Sequence, residues 1–399
     1  MASVSKREWD HNGETKTAWV VRYTDNTGKR RLKTFDKKKD ADRFRTQVET
    51  EVGNGVHIAA SDTVTLSEAL DNWLKKCDAR AHVGDRMRHN TARNFRCLAD
   101  VHLRPAFGTT LLTDLTARRV QKFLDDLAYD PAKPRSHALL KHLAAILRMC
   151  LKHAVTMGHV GRNIMVEADI RIPGTRPKRK EIPTKDELRE LLARSGDVLG
   201  MGGVARYLRP LVYTAVFTGL RQGELRALRW DDVDFAAGII RVRRSADQFG
   251  RIGETKSHAG IRDVPIAPAL APELKRWKLA SAAKSEEGLV FVGNRGRMVQ
   301  PACIQQSWGR LQRRVLADAK EKGAETRYFA RGKYHFHQLR HVAASLFIET
   351  GLPPKRIQTI MGHSTISMTF DRYGHLFDDP AIVEEAMRKI GQDLVSTAI

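Results

Sequence analysis

Two histidines and an arginine lie close together in the segment YHFHQLRHVAASLF, residues 334–347. If this segment is helical, His337, Arg340 and His341 occupy positions i, i+3 and i+4 and share one face. Cationic side chains on one face repel one another unless an anion lies against them. The cluster therefore indicates an anion-binding site, although the segment alone is more typical of a solvated helix start in which a backbone group satisfies His337.

Three other segments carry residues of matching chemistry. TGLRQGELRALRW places Arg221 just after a predicted helix end at Gly219, where the N–H groups of the next helix also favour an anion. ETKSHAGIRDVPI places Lys256 in a predicted hairpin, and MGHSTISMTFDRYGHLF places His363 ten residues before Tyr373. Each segment alone is weak evidence, because a helix junction, a turn lysine and a helix cap give similar sequences.

Together these segments resemble the tyrosine recombinase family, the phage integrases, over about residues 60–380. The residues that carry the resemblance are, in chain order, Arg221, Lys256, His337, Arg340, His363 and Tyr373. LRPAFG and the helices around it resemble the family's core-DNA-binding domain, and the basic N-terminal hairpin resembles the arm-binding domain of the integrase subgroup. Two positions depart from the family pattern: Ile164 stands where proline is frequent, and Met361 where leucine is commoner.

The resemblance implies that these residues cut and rejoin DNA without a metal, another cofactor or ATP. Tyr373 is expected to attack a phosphodiester and form a covalent 3′-phosphotyrosine, leaving a free 5′-hydroxyl. Arg221 and Arg340 are expected to bind the non-bridging oxygens through bidentate guanidinium groups. Lys256 is expected to protonate the leaving 5′-oxygen.

The remaining polar residues receive supporting roles from the same resemblance. His337 is expected to accept the tyrosine proton or to hydrogen-bond the phosphate, and His363 to donate a further hydrogen bond to the phosphate. Glu224, one turn after Arg221, is expected to brace the backbone. A structural role is predicted for His341, and no role for Arg262.

The composition favours a nucleic-acid partner. The 399 residues include 69 Lys and Arg against 46 Asp and Glu, a formal net charge of +23, which implies a polyanion, with an anionic membrane surface as the second choice. No apolar run approaches about 18 residues, so we expect no membrane partner and a cytoplasmic, nucleoid-associated protein of a bacterial host. The four cysteines have no CxxC spacing, so no zinc site or disulfide framework is predicted.

The pattern of elements predicts a multidomain chain. Residues 1–60 are predicted to form a small β-sheet plus a helix, because WVVRYT and RRLKTF flank a glycine-containing turn ahead of a helical run. Residues 61–170 are predicted to form an all-α core-binding domain that opens with the capping box TLSE. The proline-rich, basic residues 171–183 are predicted to be a linker. Residues 184–399 are predicted to form an α+β, mainly helical catalytic domain with a small antiparallel sheet, including LVFVGN as a strand.

The resemblance also implies partners. Double-stranded DNA is expected to bind at core sites, and at arm sites if the N-terminal module is more than a solvated β-ribbon. A homotetramer on DNA is expected to work through a Holliday junction, with accessory DNA-bending and directionality proteins as further partners. The amphipathic segment after residue 379 suits docking on a neighbouring protomer, and packing on its own domain is the alternative. Its apolar residues are Ile382, Met387, Ile390 and Leu394.

Other protein classes fit parts of the sequence. SLFIETGLPPKRIQTIMGH has the outline of a helix-turn-helix, which would suit a non-catalytic DNA-binding regulator but leaves the predicted nucleophile unexplained. WDDVDF offers Asp231, Asp232 and Asp234 as ligands for a metal nuclease, which EDTA-resistant cleavage would exclude. A type IB topoisomerase uses nearly the same chemistry, but its layout lacks the N-terminal arm and the short helical domain.

The role of Lys256 can be tested through the leaving group. Lys256→Ala should lose cleavage of an ordinary duplex and regain it on a duplex with sulfur at the bridging 5′ position, because a thiolate leaves without a proton. The measurement is the yield of covalent protein–DNA adduct on a denaturing gel under single-turnover conditions. Tyr373→Phe serves as the control and should stay inactive on both substrates. If sulfur does not rescue the lysine variant, Lys256 is not the acid.

Overall fold

The chain divides into two compact units, Met1–Arg179 and Lys180–Ile399. The computed structural model describes residues 2–11, 14–26, 28–59, 61–84, 87–174, 182–196, 205–255, 258–281, 285, 287–293, 296–321, 334–374, 384, 387–389 and 392. Lys256, most of the predicted linker and most of the predicted C-terminal interaction segment lie outside the described residues.

The first unit begins with strands and continues as helices. Its elements are β1 (Ser3–His11), β2 (Glu14–Thr24), β3 (Arg30–Phe35), α1 (Lys38–Gly53), α2 (Leu66–Val83), α3 (His89–Leu98), α4 (Arg104–Phe107), α5 (Ala117–Ala128), α6 (His137–Thr156) and α7 (Ile164–Glu167). A π-helical turn at Ala99–Leu103 joins α3 to α4, and a 3₁₀ turn covers Leu112–Asp114.

The second unit is mainly helical around short strands. Its elements are α8 (Lys185–Arg194), α9 (Leu208–Thr218), α10 (Gln222–Arg226), β4 (Val233–Asp234), β5 (Ile239–Val242), β6 (Arg244–Ala246), β7 (Ile252–Glu254), β8 (Arg262–Pro265), α11 (Leu270–Ala280), α12 (Pro301–Glu321), α13 (Gln338–Glu349), α14 (Pro354–Met361) and α15 (Ser367–Tyr373). No described helix is long and apolar enough to cross a membrane.

The N-terminal sheet is antiparallel, in the order β1-β2-β3, with α1 packed on one face. The predicted hairpin is present as β2 and β3, and β1 adds an unpredicted third strand, so that Val21 lies opposite Val4 on one side and Lys33 on the other. Val21 and Tyr23 are buried, whereas Arg22 between them is exposed. The alternation of strand side chains therefore points Arg22 away from the apolar core that the sheet forms with α1.

The segment after α1 is fastened to the hairpin at two points. The guanidinium of Arg31 lies 2.8 Å from a carboxylate oxygen of Asp25 and also pairs with Asp62. The buried ring of His57 lies 3.1 Å, through Nε2, from the hydroxyl of Tyr23. Because these contacts join residues far apart in the chain, His57 and Asp62 are held against the hairpin.

The helices after residue 62 enclose one apolar core. Helix α2 begins at a capping box, in which the backbone N–H of Glu68 donates to Thr65 and the Glu68 carboxylate accepts from the Thr65 N–H. The helical spacing of Leu66, Leu70 and Leu74 then buries all three side chains. They pack with apolar residues of α5 and α6, so this part of the first unit is all-α, as its periodicity predicts.

The second unit has a three-stranded antiparallel sheet, β4-β5-β8, and a separate ribbon of β6 and β7. The predicted strand LVFVGN is not an extended strand. It makes only isolated bridges, from Leu289 to Arg229 and from Val292 to Met298. Val290 and Phe291 are fully buried. The apolar run therefore fills the core, and a short apolar run of this kind does not by itself predict a strand.

Candidate active site

Arg340 lies in the first turn of α13 and is buried, with 4% of its surface exposed. Its Nη1 donates to the carbonyl of Gly219 at 2.5 Å, and its Nη2 donates to the carbonyl of Met361. Gly219 ends α9 and Met361 ends α14. One guanidinium therefore joins the ends of two helices that are distant in sequence.

Arg221 immediately precedes α10 and reaches the same region. Its Nη2 donates to the carbonyl of Gly362 at 2.7 Å, and its Nη1 lies 2.7 Å from a carboxylate oxygen of Glu224. The Glu224 carboxylate also accepts the backbone N–H of Arg221 at 2.9 Å. The Arg221 side chain is 30% exposed, so its guanidinium is accessible from solvent while Arg340 is enclosed.

Two glycines allow these contacts. Gly219 and Gly362 both have a φ of 64°, the left-handed conformation that favours glycine at a helix end. A Cβ at Gly219 would lie 2.6 Å from the sulfur of Met361, and a Cβ at Gly362 would lie 2.8 Å from Nη1 of Arg262. Larger residues would therefore push apart the loops whose carbonyls hold the arginines.

Glu224 and Arg262 form a buried ion pair, with 2% and 3% of their side chains exposed. Nη2 of Arg262 lies 2.9 Å from the Glu224 carboxylate, and Nε donates to the carbonyl of Ile360 at 2.6 Å. The sequence contains a signal for Arg262, because it occupies the same inward position of β8 as buried Val264. An arginine at an inward strand position requires a buried partner.

Burial controls the electrostatics of this cluster. Burial, and after it the charge of Arg221, lowers the pKa of Arg340 to about 9. For Glu224 burial acts to raise the pKa, but Arg262 and then Arg221 outweigh it, so the pKa lies below its ordinary value. Arg221 and Arg262 thus pair with one ionised carboxylate, and Arg340 lies within its electrostatic range. The remaining positive charge favours a bound anion.

His363 follows α14 and is 2% exposed. Its Nδ1 lies 2.9 Å from the hydroxyl oxygen of Thr369, and its backbone N–H donates to the carbonyl of Gln358 at 3.0 Å. Because Gly362 immediately precedes it, His363 lies next to the carbonyl that holds Arg221. The predicted phosphate ligands Arg221, Arg340 and His363 therefore converge on the loop that ends α14.

Tyr373 ends α15 and is 4% exposed, among apolar side chains that include Ala344, Ile348 and Met361. Its hydroxyl lies 2.7 Å from Nδ1 of His341, a contact that the sequence does not predict. The ring of the exposed His337 is 5.9 Å from the ring of His341, edge to face.

Two of the aspartates of WDDVDF have cationic partners. Asp234 lies 2.7 Å from Arg241 and accepts two turn N–H groups, and Asp232 lies 3.3 Å from Arg244. Across the part of the chain that the structure describes, no three His, Cys, Asp or Glu side chains cluster as metal ligands. The arginine and histidine cluster is the arrangement suited to chemistry, because it can hold a tetrahedral anion close to a tyrosine hydroxyl.

Comparisons with known proteins identify the family and the fold. Residues 168–379 match the model of the phage integrase family. A "Tyrosine recombinase XerC-like" protein of Caldanaerobacter subterraneus subsp. tengcongensis is 25% identical over 367 residues, which cover 85% of this chain and 86% of that protein. The Tn1549 transposon integrase, solved with a circular intermediate DNA, has a TM-score of 0.64 at 20% identity and covers 82% of this chain and 99% of its own. A lambda integrase tetramer bound to a Holliday junction has a TM-score of 0.54 at 19% identity, over 90% and 95% of the two chains.

The ion pair predicts a pH-dependent stability. Glu224→Gln should lower the free energy of unfolding by about 3–5 kcal/mol at pH 7, because Arg262 is left buried without a counter-charge. The depressed pKa of Glu224 means that its contribution is present above the ordinary carboxyl pKa of about 4.3 and is lost as the pH falls through the lower folded-state value. The difference between wild type and variant should therefore shrink at pH values well below 4.

Denaturant unfolding at pH 7 and at low pH checks this expectation. Asp231→Asn is the matched control, since Asp231 is exposed and the same charge is removed. An equal loss from both variants, or a loss for Glu224→Gln that does not change with pH, would contradict the assignment of the buried pair.

Proposed function

This chain belongs to the phage integrase family, and we propose that the cluster around Arg221, Arg340 and Tyr373 is its active centre. The protein is a site-specific tyrosine recombinase that cuts and rejoins DNA through a covalent 3′-phosphotyrosine. One observation carries the assignment to this cluster. Successive carbonyls, of Met361 and Gly362, hold the two arginines beside His363, and α13 supplies both the buried arginine and the histidine that contacts the tyrosine hydroxyl.

The charges of the cluster suit phosphoryl transfer. Attack on a phosphodiester concentrates negative charge on the non-bridging oxygens, and fixed donors in a water-poor site stabilise that charge without reorganising. The bonds from Arg340 to the carbonyls of Gly219 and Met361 use two of its five N–H groups, so a guanidinium held this way can also donate to a phosphate. A bound phosphate would in turn offset the cost of burying Arg340, which is visible in its lowered pKa.

The other predicted residues act on the two bridging oxygens and on the phosphate. Tyr373 supplies the nucleophilic oxygen, and Lys256 protonates the leaving 5′-oxygen. His363, whose Nδ1 is engaged by Thr369, donates to the phosphate through Nε2. His337, exposed at the start of α13, also hydrogen-bonds the phosphate. The protein–DNA bond keeps the phosphodiester for religation, so no ATP is consumed.

The chain acts on double-stranded DNA, and we propose a homotetramer that exchanges strands through a Holliday junction. The lambda integrase tetramer on such a junction, which shares this fold, supports the proposal. DNA as substrate places the reaction in the cytoplasm of a bacterial host, at the nucleoid. Accessory bending and directionality proteins complete the proposed assembly.

We propose the following domain functions: residues 1–60 bind arm DNA, residues 61–170 bind core DNA, residues 171–183 link them to the catalytic domain, and residues 184–399 carry catalysis and a C-terminal interaction segment. The outward face of the N-terminal sheet supports the arm role. Arg22 and Arg30 are exposed there and border a groove of about 390 Å³.

Tyr373→Phe should bind its DNA site with affinity close to wild type and form no covalent adduct, because only the hydroxyl is removed. Electrophoretic binding and a denaturing gel measure the two properties on one substrate. Tyr129→Phe is the matched control, since Tyr129 is 68% exposed in the helical part of the first unit and should leave the adduct yield unchanged. Protein-linked DNA from the Tyr373 variant would refute the nucleophile assignment.

If residues 1–60 bind arm DNA, loss of this binding should reduce integration but leave DNA cleavage at the core site unchanged. In the full chain, Arg22→Gln with Arg30→Gln should reduce integration between sites that carry arm sequences, while cleavage of isolated core half-sites stays at the wild-type rate. Arm contacts raise the effective concentration of core sites without touching the reacting phosphate.

The control for this pair removes the same charge from the same module. Lys39 and Arg43 are exposed on α1, which packs on the opposite face of the sheet, so Lys39→Gln with Arg43→Gln should integrate normally. If the two double variants behave alike, the outward face of the sheet does not bind arm DNA.

A further inference from the structure

We infer that His341 positions the nucleophile Tyr373 and accepts its proton, an assignment that rests on the proposed function. Nδ1 of His341 lies 2.7 Å from the tyrosine hydroxyl, within the range of a good O–H···N hydrogen bond. The resemblance to the recombinase family points instead to His337 as acceptor. The geometry therefore moves the proton acceptor by one helical turn.

The contact is held by rigid parts on both sides. Helix α13 is anchored by buried residues on either side of His341, including Arg340 and Val342. The ring of Tyr373 is enclosed by apolar residues of the same helix, among them Ala344 and Ile348. Helix α13 thus holds both partners of the hydrogen bond, because His341 belongs to it and Tyr373 packs against it. Neither partner depends on a long flexible side chain.

Arg340 and His341 are consecutive, so one peptide unit links the phosphate ligand to the nucleophile's partner. A helix turns by about 100° per residue, which directs the two side chains to different neighbours. Arg340 reaches the ends of α9 and α14, and His341 reaches the end of α15. The charge of Tyr373, when ionised, acts to raise the pKa of Arg340, which places the two groups within electrostatic range of each other.

The proton transfer balances as follows. Nδ1 accepts the hydrogen bond when the neutral imidazole carries its proton on Nε2. As the tyrosine oxygen bonds to phosphorus, its proton passes to Nδ1 and leaves an imidazolium. The bond from phosphorus to the 5′-oxygen breaks, and that oxygen takes a proton from Lys256. Religation by a 5′-hydroxyl reverses both transfers, and the imidazolium returns its proton to the tyrosine.

Substitutions of His341 by side chains of different length test the position of the acceptor atom. In His341→Asn the amide oxygen lies close to where Nδ1 lies, in His341→Gln it lies farther out, and His341→Ala has no acceptor. Loss of a general base typically costs 10²–10⁴-fold, so single-turnover adduct formation should fall by roughly 10²-fold or more in the Ala and Gln variants. The Asn variant should recover about tenfold of that loss, because it restores positioning but cannot take a proton.

A substrate with a sulfur leaving group distinguishes a defect in activating the nucleophile from a defect in protonating the leaving group. Sulfur at the bridging 5′ position should leave all three His341 variants slow, in contrast to Lys256→Ala. Ser345→Ala is the control on the same helix, because the Ser345 hydroxyl donates to the backbone carbonyl of His341 and not to its ring. It should cleave at the wild-type rate. DNA affinity and melting temperature identify variants that fail to fold. If the Ala and Gln variants do not fold, the rate of adduct formation by the Asn variant decides the test.

Several outcomes overturn the inference. These are a rate for His341→Ala within about twofold of wild type, rescue of that variant by sulfur, or equal losses in the Asn and Gln variants, any of which would leave His341 a structural residue. Failure of the proposed function gives a different result, because the wild-type protein itself would then form no tyrosine-linked adduct.

Discussion

The pairing of the buried Glu224 carboxylate with Arg221 and Arg262 is the interaction on which the rest of the proposed active centre depends. Moving a guanidinium out of water costs several kcal/mol unless a counter-charge and hydrogen bonds replace the lost hydration. Glu224 supplies the counter-charge, and carbonyls at residues 360–362 supply the acceptors. Since those carbonyls belong to the end of α14, the same bonds also fix the loop that carries His363.

This arrangement couples the fold to catalysis. The carbonyls that bind the arginines lie at helix ends, where they have no intrahelical partner, and Gly219 and Gly362 turn the chain there into the left-handed region. The segment that looks like a helix-turn-helix in sequence is this part of the molecule, α13, the turn at Gly351 and α14. Its geometry places Arg340 and Met361 in the interior, so its buried face holds the proposed active centre together.

Local chemistry made much of the fold predictable. The capping boxes at Thr65 and Thr184 mark helix starts at the positions observed, and apolar spacing identifies the helical core of the first unit. Strand β1 was not predictable in this way, because SVSKREWDH is mostly polar and lacks a strict alternation of apolar and polar residues. LVFVGN was misassigned because burial alone does not distinguish a strand from an irregular core segment.

Prediction of the site from sequence has the same limit as prediction of the fold. The segments of Arg221, Arg340, His363 and Tyr373 mark these residues as candidates, and the inward position of Arg262 in β8 signals a buried partner. The identity of that partner and the contact of His341 with Tyr373 come only from the structure. In the sequence pattern of the helix, His337 and His341 are equivalent candidates for the partner of Tyr373. The structure distinguishes them, because the hydroxyl of Tyr373 at the end of α15 lies 2.7 Å from Nδ1 of His341.

The positive charge of the protein therefore has two physically different parts. Exposed charges such as Arg22 and Arg30 act through water and are screened over about 8 Å at physiological salt, so any attraction of DNA to them depends on salt. Arg340 is shielded from mobile ions, and its charge acts at short range in a medium of lower effective dielectric. Salt should consequently weaken the capture of DNA far more than the rate of phosphoryl transfer once DNA is bound. The separation follows from burial, which net charge alone does not reveal.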